Sequence, residues 1–119
     1  MDNKATIEEL KNLVKQFCED RDWDQFHNPK DLAIGIATEA GELLERFRFK
    51  SDIESTKLMS TEKRPLVEEE LADVLYFVLR FAQMNNIDLS EALANKIKSN
   101  DEKYPADKVK GKNKKYDEY

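Results

Sequence analysis

At 119 residues, with 38% charged and 39% hydrophobic residues, the chain has the size of one domain with a small core. Its net charge of −5 is uneven: residues 1–95 hold 12 Lys/Arg and 20 Asp/Glu, net −8, and residues 96–119 hold 8 Lys and 5 Asp/Glu, net +3. An acidic body argues against a nucleic-acid polymer as partner; a basic tail is compatible with a small polyphosphate, but from charge alone it reads first as a solvated lysine tail. No run nears the ~20 apolar residues of a membrane span, no signal-peptide pattern opens the chain, and the lone Cys18 excludes an intrachain disulfide; the reading is cytoplasmic, without a membrane partner.

In chain order, Thr6 and Glu9 form a capping box. Ile7, Leu10, Leu13, Val14 and Phe17 then recur at helical spacing, predicting a helix near 7–21 with Cys18 as a buried, inert thiol. The stretch Asp22–His27 lacks a period and reads as a loop. Asn28-Pro29 opens a second helix, with Asn as N-cap and Pro at N1. Its core stripe is Leu32, Ala33, Ile36, Ala40, Leu43 and Phe47.

That helix contains Gly35 and Gly41, each costing about 1 kcal/mol against Ala, which predicts close approach of another helix or a ligand. Residues 51–64 form a connector with room for a short helical turn. Pro65, followed by the acids Glu68, Glu69 and Glu70, marks the start of a third helix running to Asn85–Asn86. Its main stripe is Val67, Leu71, Val74, Leu75, Val78 and Ala82. Asp88 and Glu91 cap a fourth helix near 89–103, stopped by Tyr104-Pro105. With few glycines and prolines and no alternating strand, the class is all-α, a four-helix-type bundle. Residues 1–119 form a single domain, helical over about 7–104, with a Lys-rich tail 105–119.

Two patterns in this scheme carry chemistry: Glu39-Ala-Gly-Glu42 on the second helix and Glu70-Leu-Ala-Asp73 on the third. Residues at i and i+3 share one side of a helix, so two packed helices would aim four carboxylates at one place. Such a gathering needs a hard cation with oxygen preference, and magnesium fits. A helical wheel sets Glu70 to one side of the Leu71 stripe together with Phe77 and Phe81, as in a metal site beside a flat apolar pocket. A di-iron bundle would need Glu-x-x-His on two helices, and the only histidine is His27 in the loop; zinc sites lack Cys/His ligands.

These residues resemble the all-α nucleoside triphosphate pyrophosphohydrolases of the MazG-like superfamily, whose hallmark is Glu-x-x-Glu, a spacer, then Glu-x-x-Asp. Further blocks are similar to the dCTP pyrophosphatase subgroup: Arg21 to Pro29, Phe47-Arg48-Phe49-Lys50, Lys96 to Asn100 leading into Lys103-Tyr104-Pro105, and the ending from Lys110-Gly111 through Lys115-Tyr116. The resemblance covers about residues 7–117.

What it implies is Mg²⁺-dependent hydrolysis of a nucleoside triphosphate, dCTP or a modified dCTP, to the monophosphate and pyrophosphate, with Mn²⁺ as a possible substitute metal. Glu39, Glu42, Glu70 and Asp73 would be the catalytic and metal-binding residues, and one of the four, with Glu39 and Glu42 the first candidates, would also orient or deprotonate the attacking water. Trp23, His27, Phe49 and Phe77 would wall the base pocket. Phe49 stands where relatives often carry Trp, and Phe77 where some carry Tyr, which leaves base selectivity open. Lys96, Asn100 and Tyr104, at i, i+4 and i+8, would meet the sugar and phosphates, with tail lysines Lys110 and Lys112 closing over them. A homodimer or homotetramer is expected. The alternatives are a relative with another base preference, such as dUTP, and a non-catalytic helical interaction module.

Overall fold

The computed structural model describes residues 1–113, 115 and 117. Its regular elements are all helical: α1 (Ile7–Asp20), a 3-10 turn (Asp24–Phe26), α2 (Pro29–Glu45), α3 (Asp52–Leu58), α4 (Arg64–Met84), α5 (Leu89–Lys103) and α6 (Ala106–Val109). The all-α class is as expected from the sequence. Two compact units divide the chain, Met1–Asn86 and Ile87–Tyr119. The tail block ending at Tyr116 lies outside the described residues at Lys114 and Tyr116.

The helix starts follow local chemistry. Thr6 accepts from the Glu9 amide at 3.1 Å, Asn28 from Asp31 at 2.9 Å and Asp88 from Glu91 at 2.9 Å, caps worth about 1 kcal/mol each. Ser51 does the same for Glu54 at 3.2 Å, and this cap turns part of the expected connector into the seven-residue α3. α4 starts where Pro65 placed it, with that proline in its opening positions, but the first turn lacks the expected acids. The helix begins at Arg64, and Lys63 supplies no side-chain cap. Glu68–Glu70 therefore sit in the second turn, where Glu68 pairs with Arg64 at 2.9 Å.

Within the first unit, α4 packs against both α1 and α2. The Cys18 thiol on α1 is buried and meets the Tyr76 hydroxyl of α4 at 3.0 Å; burial pushes that phenol far up, and Cys18 adds to the effect. From α2, Gly35 meets Phe77: a Cβ at 35 would stand 2.5 Å from its ring. That contact is the close approach expected of a helical glycine. Gly41 has nothing within 4 Å of such a Cβ, so no other helix makes that approach there.

The buried apolar set is Cys18, Leu32, Leu58, Val67, Leu79 and Ala82. Val67 and Ala82 are where the stripe placed them, but Leu71 and Leu75 are 57% and 44% exposed, and Ala33 and Ala40 are exposed on α2. Tyr76 meets α1 and Phe77 meets α2, while Leu71 and Leu75 are left largely exposed. A helical period tells which residues share a face; it does not tell which neighbour covers that face.

Candidate metal centre

The acid pairs meet because α2 and α4 run past each other in antiparallel register. Gly35 faces Phe77; one turn along, Glu39 comes to Asp73, and Glu42 and Glu70 follow. One carboxylate oxygen from each of Glu39, Glu42, Glu70 and Asp73 lies within 4.8 Å of the other three. Glu70 is buried, Glu39 half-buried, and Glu42 and Asp73 are exposed, so the cluster opens to solvent on one side.

The electrostatics of this cluster are unbalanced. Oε2 of Glu39 and Oε2 of Glu70 are both buried without a hydrogen-bond partner, a costly state for a carboxylate oxygen. Burial, then Glu42 beside it, then the charges of Asp73 and Glu70, push the Glu39 carboxyl above its ordinary 4.5. Among the described residues one ion pair enters the cluster: Arg46 Nη2 lies 2.9 Å from Glu70 Oε1. Oxygen donors, two of them orphaned, with a large local excess of negative charge fit a hard divalent cation such as Mg²⁺.

The expected base-pocket residues are only partly brought together. Phe77, Tyr76, Phe17, Trp23 and His27 form a chain of edge-on ring contacts with centroids 5.0, 6.0, 5.7 and 6.3 Å apart in that order. Phe49 is separate from it: 89% exposed, in left-handed backbone (φ +65°), with the Arg48 guanidinium 4.6 Å over its ring. Lys96 and Asn100 are in α5 of the second unit, and Tyr104 is its C-cap, donating its amide to the Asn100 carbonyl at 2.7 Å. Lys110 caps α6 and Lys112 follows it, donating its amide to the Val109 carbonyl.

Two arginines escaped the sequence reading. Arg80, 1% exposed, donates from Nε to His27 Nδ1 at 3.0 Å and from Nη1 to Gln83 Oε1 at 2.6 Å, and pairs with Asp24 through Nη2. His27 Nδ1 is thus an acceptor and its proton sits on Nε2. Burial first, then the Arg80 charge, hold its pKa below the ordinary 6.5. The signal for Arg80 was present: it is the one charged residue in the apolar run Val74–Met84. Arg46, four residues after Glu42, had no signal beyond its place one helical turn along.

The MazG-like family model matches residues 34–119, a span that includes both acid pairs. The chain belongs to the MazG-like family. Over 114 residues, 95% of its length, it is 35% identical to dCTP pyrophosphatase 1 of Mus musculus, covering 67% of that protein. To dCTP pyrophosphatase 1 of Homo sapiens it is 36% identical over 116 residues, 97% of this chain and 68% of that one. A crystal structure of a pyrophosphatase from Archaeoglobus fulgidus DSM 4304 superposes with a TM-score of 0.79 at 37% identity, covering 83% of this MazG-like chain and 92% of the other. The chain is accordingly an enzyme of the nucleoside triphosphate pyrophosphohydrolase class. No helix among the described residues is long and apolar enough to cross a membrane.

Proposed function

We propose that this enzyme hydrolyses dCTP, or a modified dCTP, to the monophosphate and pyrophosphate, using Mg²⁺ (or Mn²⁺ in its place) held by Glu39, Glu42, Glu70 and Asp73. The observation that carries the proposal is the convergence of those four carboxylates, with two buried oxygens left without partners. The base assignment rests on the dCTP pyrophosphatases among the relatives.

Bound there, the metal supplies neutralisation of the triphosphate charge and a more acidic water. The chain's own residues do the rest. Water oxygen bonds to the α-phosphorus, the α–β phosphoanhydride bond breaks, and pyrophosphate leaves with the bridging oxygen. The water proton goes to a cluster carboxylate. We assign it to Glu39, whose Oε2 is buried in the cluster without a hydrogen-bond partner and so has a lone pair to accept it.

Trp23 and His27 supply the base end, with Phe77 and Phe49 as the other proposed walls. His27, whose pKa is lowered by burial and then by the Arg80 charge, offers Nε2–H as a donor to a base carbonyl. Lys96, Asn100 and Tyr104 remain proposed sugar and phosphate contacts, and Lys110 and Lys112 proposed phosphate contacts, on the resemblance alone. We take residues 1–119 as one functional domain of a cytoplasmic homodimer or homotetramer. The exposed Leu13, Ile34, Leu44, Leu71 and Leu75 give association an apolar surface.

The test is incubation with Mg²⁺ and each nucleoside triphosphate in turn, dUTP included, following monophosphate and pyrophosphate. The expected order puts dCTP first, and Glu70→Gln lowers kcat on the order of 10²–10³-fold. Absence of pyrophosphate from every nucleotide would favour a non-catalytic helical module. Full turnover by Glu70→Gln would remove the metal assignment while leaving the activity.

A further inference from the structure

Arg46 stands at the boundary of two hollows of opposite charge. One, of ≈ 360 Å³, is lined by Glu42, Glu45, Arg46 and Glu70. The other, of ≈ 210 Å³, is lined by Arg46, Lys50 and Lys63 over an apolar floor that includes Leu58 and Val67, with Glu45 as its one acid. On the acidic side the Arg46 guanidinium covers Glu70 Oε1 at 2.9 Å. The Arg46 side chain is 37% exposed, against 11% for that of Glu70, so the arginine has room to turn and the glutamate does not.

A cation arriving at the four carboxylates takes over the role that Arg46 fills at Glu70, and repels its guanidinium. Three cationic side chains across the same boundary then face whatever anion accompanies that cation. We propose that Arg46 exchanges partners, from Glu70 in the metal-free chain to the departing pyrophosphate half of the substrate, which it holds together with Lys50 and Lys63. This rests on the pyrophosphohydrolase reading above and adds to it a seat for the leaving group within the first unit, where a planar guanidinium suits phosphate oxygens. It also makes metal and polyphosphate bind cooperatively through one side chain.

The test needs no turnover. Mn²⁺ titrated alone into the full chain, read as free Mn²⁺ by electron paramagnetic resonance, should bind Arg46→Gln roughly fivefold or more tightly than the native chain, since the competing guanidinium is gone. Inorganic pyrophosphate titrated calorimetrically at saturating Mn²⁺ should bind Arg46→Gln, Lys50→Ala and Lys63→Ala roughly fivefold or more weakly. The two lysine variants should keep native Mn²⁺ affinity, and Arg46→Lys should retain part of the pyrophosphate affinity. Unchanged or weaker Mn²⁺ binding by Arg46→Gln overturns the exchange, and unchanged pyrophosphate binding in both lysine variants overturns the seat. Should Arg46→Gln fail to fold, Arg46→Lys and the lysine variants decide the matter. Because both readouts are binding, a chain that hydrolyses no nucleotide yet shows this pattern would sink the activity and leave the exchange standing.

Discussion

Glu70 and Arg80 lie on the same helix, each with 9% or less of its surface exposed, and each carries a charge that burial penalises. Arg80 has a partner on each of its three nitrogens: His27, Gln83 and Asp24. Glu70 has one oxygen on Arg46 and the other on nothing. A buried charge surrounded by partners is a finished structural element, and one left half-partnered is a binding site held open. The difference separates the two arginines as well, since Arg80 is locked among its partners and Arg46 is free on one flank.

The comparison is broken most severely at Arg80. Arg80→Ala removes a fully packed side chain and leaves His27 Nδ1 without its donor, at a cost of about 2–4 kcal/mol in urea unfolding. A loss below ~1 kcal/mol would mean that the network is ornamental.

The carboxylate end should respond with the opposite sign. The Glu39 carboxyl, raised above 4.5 in the fold, contributes stability below that pH and loses it as the pH rises through the folded value. At neutral pH Glu39→Gln should therefore raise the unfolding midpoint of the metal-free chain. It should also abolish the gain given by Mg²⁺, which for the native chain is about 2.7 kcal/mol at one hundred times Kd. Thermal melts with EDTA and with Mg²⁺ check both halves, and a metal-free Glu39→Gln less stable than the native chain would contradict the first.

The smallest effect is a pH dependence at His27. Its pKa is lowered by folding, so its contribution is complete above 6.5 and is lost as the pH falls through the folded value, when a protonated Nδ1 faces the Arg80 guanidinium. Midpoints measured from pH 7.5 down to 5 should fall more steeply for the native chain than for His27→Gln. Parallel slopes would assign the loss to other groups.

The acid cluster was legible in the sequence because i, i+3 spacing fixes which carboxylates share a helix face, and Thr6, Asn28 and Asp88 were legible because capping is local. The Leu71–Leu75 stripe was misread because its fate depends on which neighbour covers it, which no periodicity records. The start of α4 was legible from Pro65, but Glu68–Glu70 were assigned to the wrong turn because acids in a second turn look like acids in a first. Arg80 was overlooked because it sits inside an apolar run whose partners, Asp24 and His27, are more than fifty residues distant in the chain.

Gly35 also has a bearing on the ion. With no side chain there, the Phe77 ring comes up against α2 one helical turn from Glu39 and Asp73. A Cβ at 35 would push against that ring and spread the two helices, and with them the span between the paired oxygens. Mg²⁺ and Ca²⁺ differ by only a few tenths of an ångström in their preferred oxygen distances. A hydrocarbon spacer one turn away thus acts as the gauge of a site made wholly of oxygen.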